Sequence, residues 1–162
     1  MSKEQFANEL NEVLKHYQKA FADKVIESPE TAQDILMDIF GITFFDKIKN
    51  MQYWGRELGL CWQRLIVAVF KNNCNGYKPA LKIGKDEPCD VIVDSFAIDT
   101  KYRVGSGDSG TLKKFKQYGP LLKENKLKPV MLFLREDNLP AAMTALKSGD
   151  GRFILVNLLL IL

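Results

Sequence analysis

Hydrophobic positions recur along this 162-residue chain first at helical and then at strand spacing. Phe6, Leu10, Val13, Leu14, Tyr17 and Phe21 fall on one stripe and predict an amphipathic helix from Lys3 to about Ile26. Ser28-Pro29-Glu30 reads as a helix start: a serine cap, proline in the first turn, then an acid. The helix it opens runs through Ile35, Leu36 and Ile39 and stops at Gly41. Phe44 to Asn50 fits a further short helical piece. Trp54, Leu58, Cys61, Trp62, Leu65, Ile66, Val69 and Phe70 predict a strongly apolar helix from Trp54 to Lys71, ended by the polar run Asn72 to Gly76.

Beyond Gly76 the period changes. Tyr77 to Ile83 predicts a strand, and Gly84 to Pro88 a turn or loop. Cys89 to Asp94 and Phe96 to Val104 alternate with a period of two and predict a hairpin. Gly105 to Gly110 is a glycine-rich loop, and Thr111 to about Lys126 a helix. Val130 to Leu134 is a continuous apolar run, as expected of a strand buried on both faces. A short helix follows over Leu139 to Lys147, and Phe153 opens a last strand. That last apolar run is too short for a membrane span, which takes about 20 residues.

Within the hairpin, Asp90, Ile92 and Asp94 share one face of the first strand. Ala97, Asp99, Lys101 and Arg103 share one face of the second. A two-residue turn at Asp94-Ser95 pairs Val93 with Phe96 and sets Asp90 directly across from Asp99. Like charges so opposed are destabilising, and a divalent cation between them is the simplest compensation. A four-residue loop sets Asp90 across from Lys101 instead and still groups the three polar residues. A three-residue loop shifts the parity.

Composition and charge narrow the function. The three cysteines are odd in number and widely spaced, which argues against a disulfide scaffold or a zinc cluster and fits a reducing, cytoplasmic setting. The single histidine, His16, has no partner for a catalytic pair. The net charge is only +3, but Lys101 to Lys128 holds eight basic and two acidic residues, +6, leaving −3 elsewhere. A basic segment directly after paired carboxylates suits a phosphate-backbone partner.

The hairpin resembles the active site of the PD-(D/E)XK nucleases, the superfamily that includes most type II restriction endonucleases. In that family a Pro-Asp or similar pair opens one strand and (Asp/Glu)-x-Lys sits on the next. Asp99-Thr100-Lys101 matches the second half, and Pro88-Cys89-Asp90 is a variant of the first with one residue interposed. Asp90 is preferred as first ligand, because Asp94 is an ordinary turn residue. The predicted element order from Trp54 is also similar to the family core. The resemblance therefore implies an α/β fold with a restriction-endonuclease-like core, αβββαβ, whose mixed central sheet is flanked by helices. On this reading residues 51–162 form the nuclease core, and 1–50 are an extra N-terminal helical segment, in the same domain or as a small subdomain.

The same resemblance implies a Mg2+-dependent, sequence-specific endonuclease acting on double-stranded DNA as a homodimer, with no membrane partner. Asp90, Asp99 and the main-chain carbonyl of Thr100 would hold Mg2+, and Lys101 would orient or deprotonate the attacking water or stabilise phosphate charge. Members often carry a glutamate or glutamine on the first core helix. Glu57 is the candidate here, with Gln63 and, more weakly, Glu87 as alternatives. Arg103, Ser106, Ser109, Lys113, Lys114, Lys116 and Gln117 are expected DNA contacts. A repair or junction-resolving nuclease of the same fold is the nearest alternative. A non-catalytic helix-turn-helix protein, built on Ser28 to Asn50, is the other.

Overall fold

The computed structural model describes residues 33–105, 109–149 and 152–155, with Glu4 and Lys15 besides. The helix expected from Lys3 to Ile26 and the residues Ser28 and Ser106 lie outside the described residues, but the helix expected to run from Ser28 to Gly41 is not continuous: Asp34 is extended, at φ −150° and ψ 168°, and a helix starts only at Ile35. All elements below belong to one compact unit, which begins at Asp34.

Helix α1 (Ile35–Phe40) is capped by Asp34, whose Oδ1 accepts from the main-chain N–H of Leu36 at 3.1 Å and of Met37 at 3.2 Å. It ends, as expected, at Gly41, in the left-handed region at φ 63°. Helix α2 (Phe44–Lys49) opens on a capping box in which Thr43 and Asp46 each bond the other's main-chain N–H. Helix α3 (Met51–Asn73) buries Leu58, Trp62 and Ile66, spaced by four residues and so on one stripe.

The strands are β1 (Tyr77–Pro79), β2 (Val91–Val93), β3 (Phe96–Lys101), β4 (Lys128–Phe133) and β5 (Arg152–Leu155). Helix α4 (Ser109–Glu124) links β3 to β4, and α5 (Pro140–Ser148) links β4 to β5. The sheet order is β1-β2-β3-β4-β5. The first three strands run antiparallel, and β3, β4 and β5 run parallel. The fold is thus α/β with a mixed sheet. Strand β1 is shorter than the expected Tyr77–Ile83. It stops at Pro79, which has no N–H to donate, and the chain then turns back on itself through an Ile83–Asp86 bridge with Gly84 at φ 63°.

Alternation along the strands feeds two cores. Val91, Ile98, Val130 and Leu132 pack with Leu36, Met37, Leu58, Trp62 and Ile66 from α1 and α3. Met131 and Phe133 pack on the other face with Phe115 of α4 and Ala142, Ala145 and Leu146 of α5, while Ile92 and Ala97 pack with Leu122 of α4. Burial on both faces is why β4 reads as an unbroken apolar run. Helix α4 meets the end of α5 through two glycines. A Cβ on Gly119 would lie 1.5 Å from the carbonyl oxygen of Gly149, so no side chain fits. Among the described residues no helix is long and apolar enough to cross a membrane.

Candidate active site

The hairpin turn is the two-residue one: Val93 pairs with Phe96 across Asp94-Ser95. Asp94 takes a positive φ of 53°, which a short polar side chain tolerates. Its main-chain N–H donates to Gly76 O at 3.1 Å, and a Cβ on Gly76 would sit 2.0 Å from Asp94 Oδ1. Asp94 is therefore occupied in the turn, away from the strand ends where Asp90 and Asp99 lie.

The regular ladder stops one pair short of the expected opposition of Asp90 and Asp99. Strand β2 begins only at Val91, and Ile98, the partner of Val91, also accepts from the main-chain N–H of Asp90 at 2.9 Å. Two consecutive residues thus share one partner, the pattern of a bulge, which re-aims a side chain. The Asp90 carboxylate turns toward Thr100: Oδ2 accepts from the Thr100 main-chain N–H and hydroxyl, both at 2.7 Å. Its Oδ1 accepts from Nε2 of Gln63, on α3.

Asp99 approaches the same strand end from the α4 side. It lines a narrow cavity of about 30 Å³ with Ala97, Phe115, Tyr118, Leu122 and Met131. Its Oδ1 accepts from Lys101 Nζ at 2.8 Å, and the same ammonium donates to Thr100 O at 3.3 Å. Burial pushes the Asp99 carboxyl up to about 6; Lys101 pulls against this, and the neighbouring Asp90 carboxylate pushes the same way as burial. Buried Cys89, next to Asp90 in the chain, has its thiol pushed up by burial, with Asp99 and Asp90 adding to the effect.

The structure therefore brings Asp90, Asp99, Thr100 and Lys101 together, and adds Gln63. It does not bring Glu57. Gln63 lies six residues further along α3, about 240° around the helix. Glu57 instead pairs with Arg56 at 3.0 Å and borders a separate cleft with Phe40, Trp54 and Cys61. Glu87 pairs with Lys82 at 3.0 Å. Among the described residues no third acidic, histidine or cysteine side chain completes a metal-binding group. What the pair offers a cation is a set of oxygens: two carboxylates and the Thr100 carbonyl. Such hard donors suit Mg2+, which is commonly held by one or two carboxylates and otherwise by water.

Of the expected DNA contacts, Lys113, Lys114, Lys116 and Gln117 stand exposed on α4, with Lys113, Lys116 and Gln117 on one stripe. Ser109 opens that helix. Arg103 does not extend freely to solvent. Its Nε lies 2.8 Å from Asp137 Oδ2 and donates to Asp137 O at 3.0 Å.

One polar cluster carried no signal in the sequence. The Tyr102 hydroxyl donates to Asp34 Oδ2 and accepts from Lys47 Nζ at 3.1 Å. Arg135 donates to Asp34 Oδ2 at 3.0 Å and, through Nε, to Asp137 Oδ1 at 2.7 Å. These partners are up to 101 residues apart, and no local pattern joins them. Comparison with protein-family models, with curated protein sequences and with solved structures found no match.

Proposed function

We propose that the chain is a Mg2+-dependent endonuclease of the PD-(D/E)XK type that hydrolyses phosphodiester bonds in double-stranded DNA. The observation that carries this reading is the meeting of Asp90, Asp99 and Lys101 at the end of β3, with an amide from the preceding helix bonded to the first carboxylate. The element order helix, three strands, helix, strand, around a mixed sheet, supports a restriction-endonuclease-like core.

Asp90 and Asp99, with the Thr100 carbonyl, would hold the ion. Bound there, Mg2+ would lower the pKa of a coordinated water and offset negative charge on the transferring phosphate. Gln63 and Thr100 fix the Asp90 carboxylate through three hydrogen bonds, which holds a ligand in place before substrate arrives. Lys101, already bonded to Asp99, places an ammonium beside the scissile phosphate, where it orients the attacking water or meets developing charge. The exposed lysines of α4 supply sequence-independent attraction to the duplex. Sequence-specific cutting of both strands, in the manner of a cytoplasmic type II restriction enzyme, would call for two copies related by a two-fold axis.

Purified protein incubated with long unmethylated duplex DNA, with Mg2+ or with EDTA, tests this beside Asp99→Ala. Discrete fragments that require both Mg2+ and Asp99 are expected. A Mg2+-dependent smear would retain the nuclease and remove the restriction role. Intact binding with no cleavage of duplex or branched DNA would remove the catalytic reading.

A further inference from the structure

Regular pairing of β3 ends at Lys101, yet the main chain at Lys101 and at the next residue, Tyr102, is still tied to the neighbouring segment. The main-chain carbonyl of Lys101 accepts from Leu134 N at 3.2 Å, and that of Tyr102 from Arg135 N at 3.1 Å. The Tyr102 side chain points to the opposite face from Lys101, where its hydroxyl bonds Asp34 and Lys47. Asp34 divides its carboxylate between two tasks: Oδ1 caps α1, and Oδ2 takes Tyr102 and Arg135. Arg135 passes the constraint to Asp137, and Asp137 to Arg103.

Stability alone does not account for this arrangement. The Arg135 and Asp34 side chains are only 4% and 10% exposed. Desolvating such a pair costs several kcal/mol per ion, and apolar side chains of similar volume often hold a core equally well. What an apolar contact lacks is direction. Hydrogen bonds to Tyr102 from two sides fix where the strand leaves the sheet, one residue beyond Lys101. The lysine has a flexible four-carbon stem, so its ammonium stays against Asp99 only if the main chain beneath it does not shift.

We infer that Asp34, Tyr102 and Arg135 are positioning residues that lock the end of β3 and thereby set Lys101 against Asp99. The catalytic purpose of this placement rests on the nuclease reading; the placement itself does not. A misplacement of about 1 Å at a reacting group costs on the order of 100-fold in rate.

The test uses the full chain labelled with 13C-lysine, as wild type, Tyr102→Phe and Asp34→Asn. Tyr102→Phe deletes one hydroxyl, and Asp34→Asn keeps a side chain that caps α1. The ε-methylene signal of Lys101 is assigned by its loss in Lys101→Met. In both variants this signal is expected to move to the position of the solvent-exposed lysines, with the rest of the spectrum still dispersed. Mg2+-dependent kcat should fall roughly 10- to 100-fold with the Kd for DNA unchanged, and the double variant should fall no further than either single one. A Lys101 signal that stays in place in Tyr102→Phe overturns the inference, whether or not Asp34→Asn folds. If wild-type protein cleaves nothing, the nuclease reading falls, and the lysine signal still decides the positioning role.

Discussion

Gln63 of α3 and Asp90, 27 residues further along the chain, are joined by a hydrogen bond from the carboxamide Nε2 to Oδ1. The bond ties the first core helix to the carboxylate at the mouth of the hairpin. Gln63→Ala removes one of three hydrogen bonds that orient Asp90. Loss of an outer partner of a metal ligand typically costs about 10- to 100-fold in affinity or activity. Cleavage in Mg2+ should fall by that factor, while urea unfolding changes by only about 1 kcal/mol. Glu57→Gln, on another side of the same helix, should leave cleavage unchanged.

Asp99 connects the site to stability. Its carboxyl is raised from an ordinary value of 3.8 to about 6, chiefly by burial. The folded state therefore keeps a proton that the unfolded chain releases, and stability from this group falls as pH rises from about 4 to about 6. Above that window the folded state carries a penalty of up to about 3 kcal/mol. Asp99→Asn should remove it. Urea denaturation should show the variant about 1–3 kcal/mol more stable than wild type at pH 8, with no such gain at pH 4. The same variant should be inactive, which separates loss of function from loss of folding.

On the proposed nuclease reading, the same proton would compete with a cation. Calorimetric titration with Mg2+ should show affinity falling by about tenfold for each pH unit below about 6 and levelling above it, because binding must then displace a proton from Asp99. Asp99→Asn should show no such slope.

How much of this was legible depended on whether local period or long-range packing decided it. Gly41 as a helix stop and the apolar stripe of α3 follow from spacing and turn chemistry, and the structure has each; the two-residue turn at Asp94-Ser95 is one of three loop lengths that the sequence left open. Alternation also sets Asp99 and Lys101 on one face of β3, but Asp90 joins them through a break in the ladder and not through the regular opposition that spacing predicts. The choice between Glu57 and Gln63 was not legible. It turns on the rotation of α3 over the sheet, which is set by Leu58, Trp62 and Ile66 in the core. The re-aiming of Asp90 arises from a bulge that no residue type announces. The cluster around Asp34 and Arg135 forms only after the sheet brings distant charges together.

Two glycines in helices should respond to alanine in opposite directions. Gly119→Ala drives a methyl group into the Gly149 carbonyl, against which main chain cannot easily give. Overpacking of this kind costs about 1–3 kcal/mol or more, and the loss should be read as a lower thermal midpoint. A Cβ on Gly55, near the start of α3, meets nothing within 4 Å. Gly55→Ala should gain about 0.5–1 kcal/mol from the entropy the unfolded chain no longer has to lose.

The lysines of α4 distinguish a nucleic-acid surface from a solvated helix face. Lys113 and Lys116 share a stripe with Gln117, and Lys114 lies about 100° around the helix from Lys113. None of the three has a salt bridge among those of the described residues, in contrast to Arg103, which is paired with Asp137. If all three contact phosphates, replacing them together with alanine should reduce the slope of log K against log salt by two to three, about one unit per lost contact. The loss should be uniform across DNA sequences, because phosphates carry no base information. Fluorescence anisotropy over a salt series measures both quantities. A slope unchanged by the triple variant would assign these lysines to solvation and move the duplex to another face of the sheet.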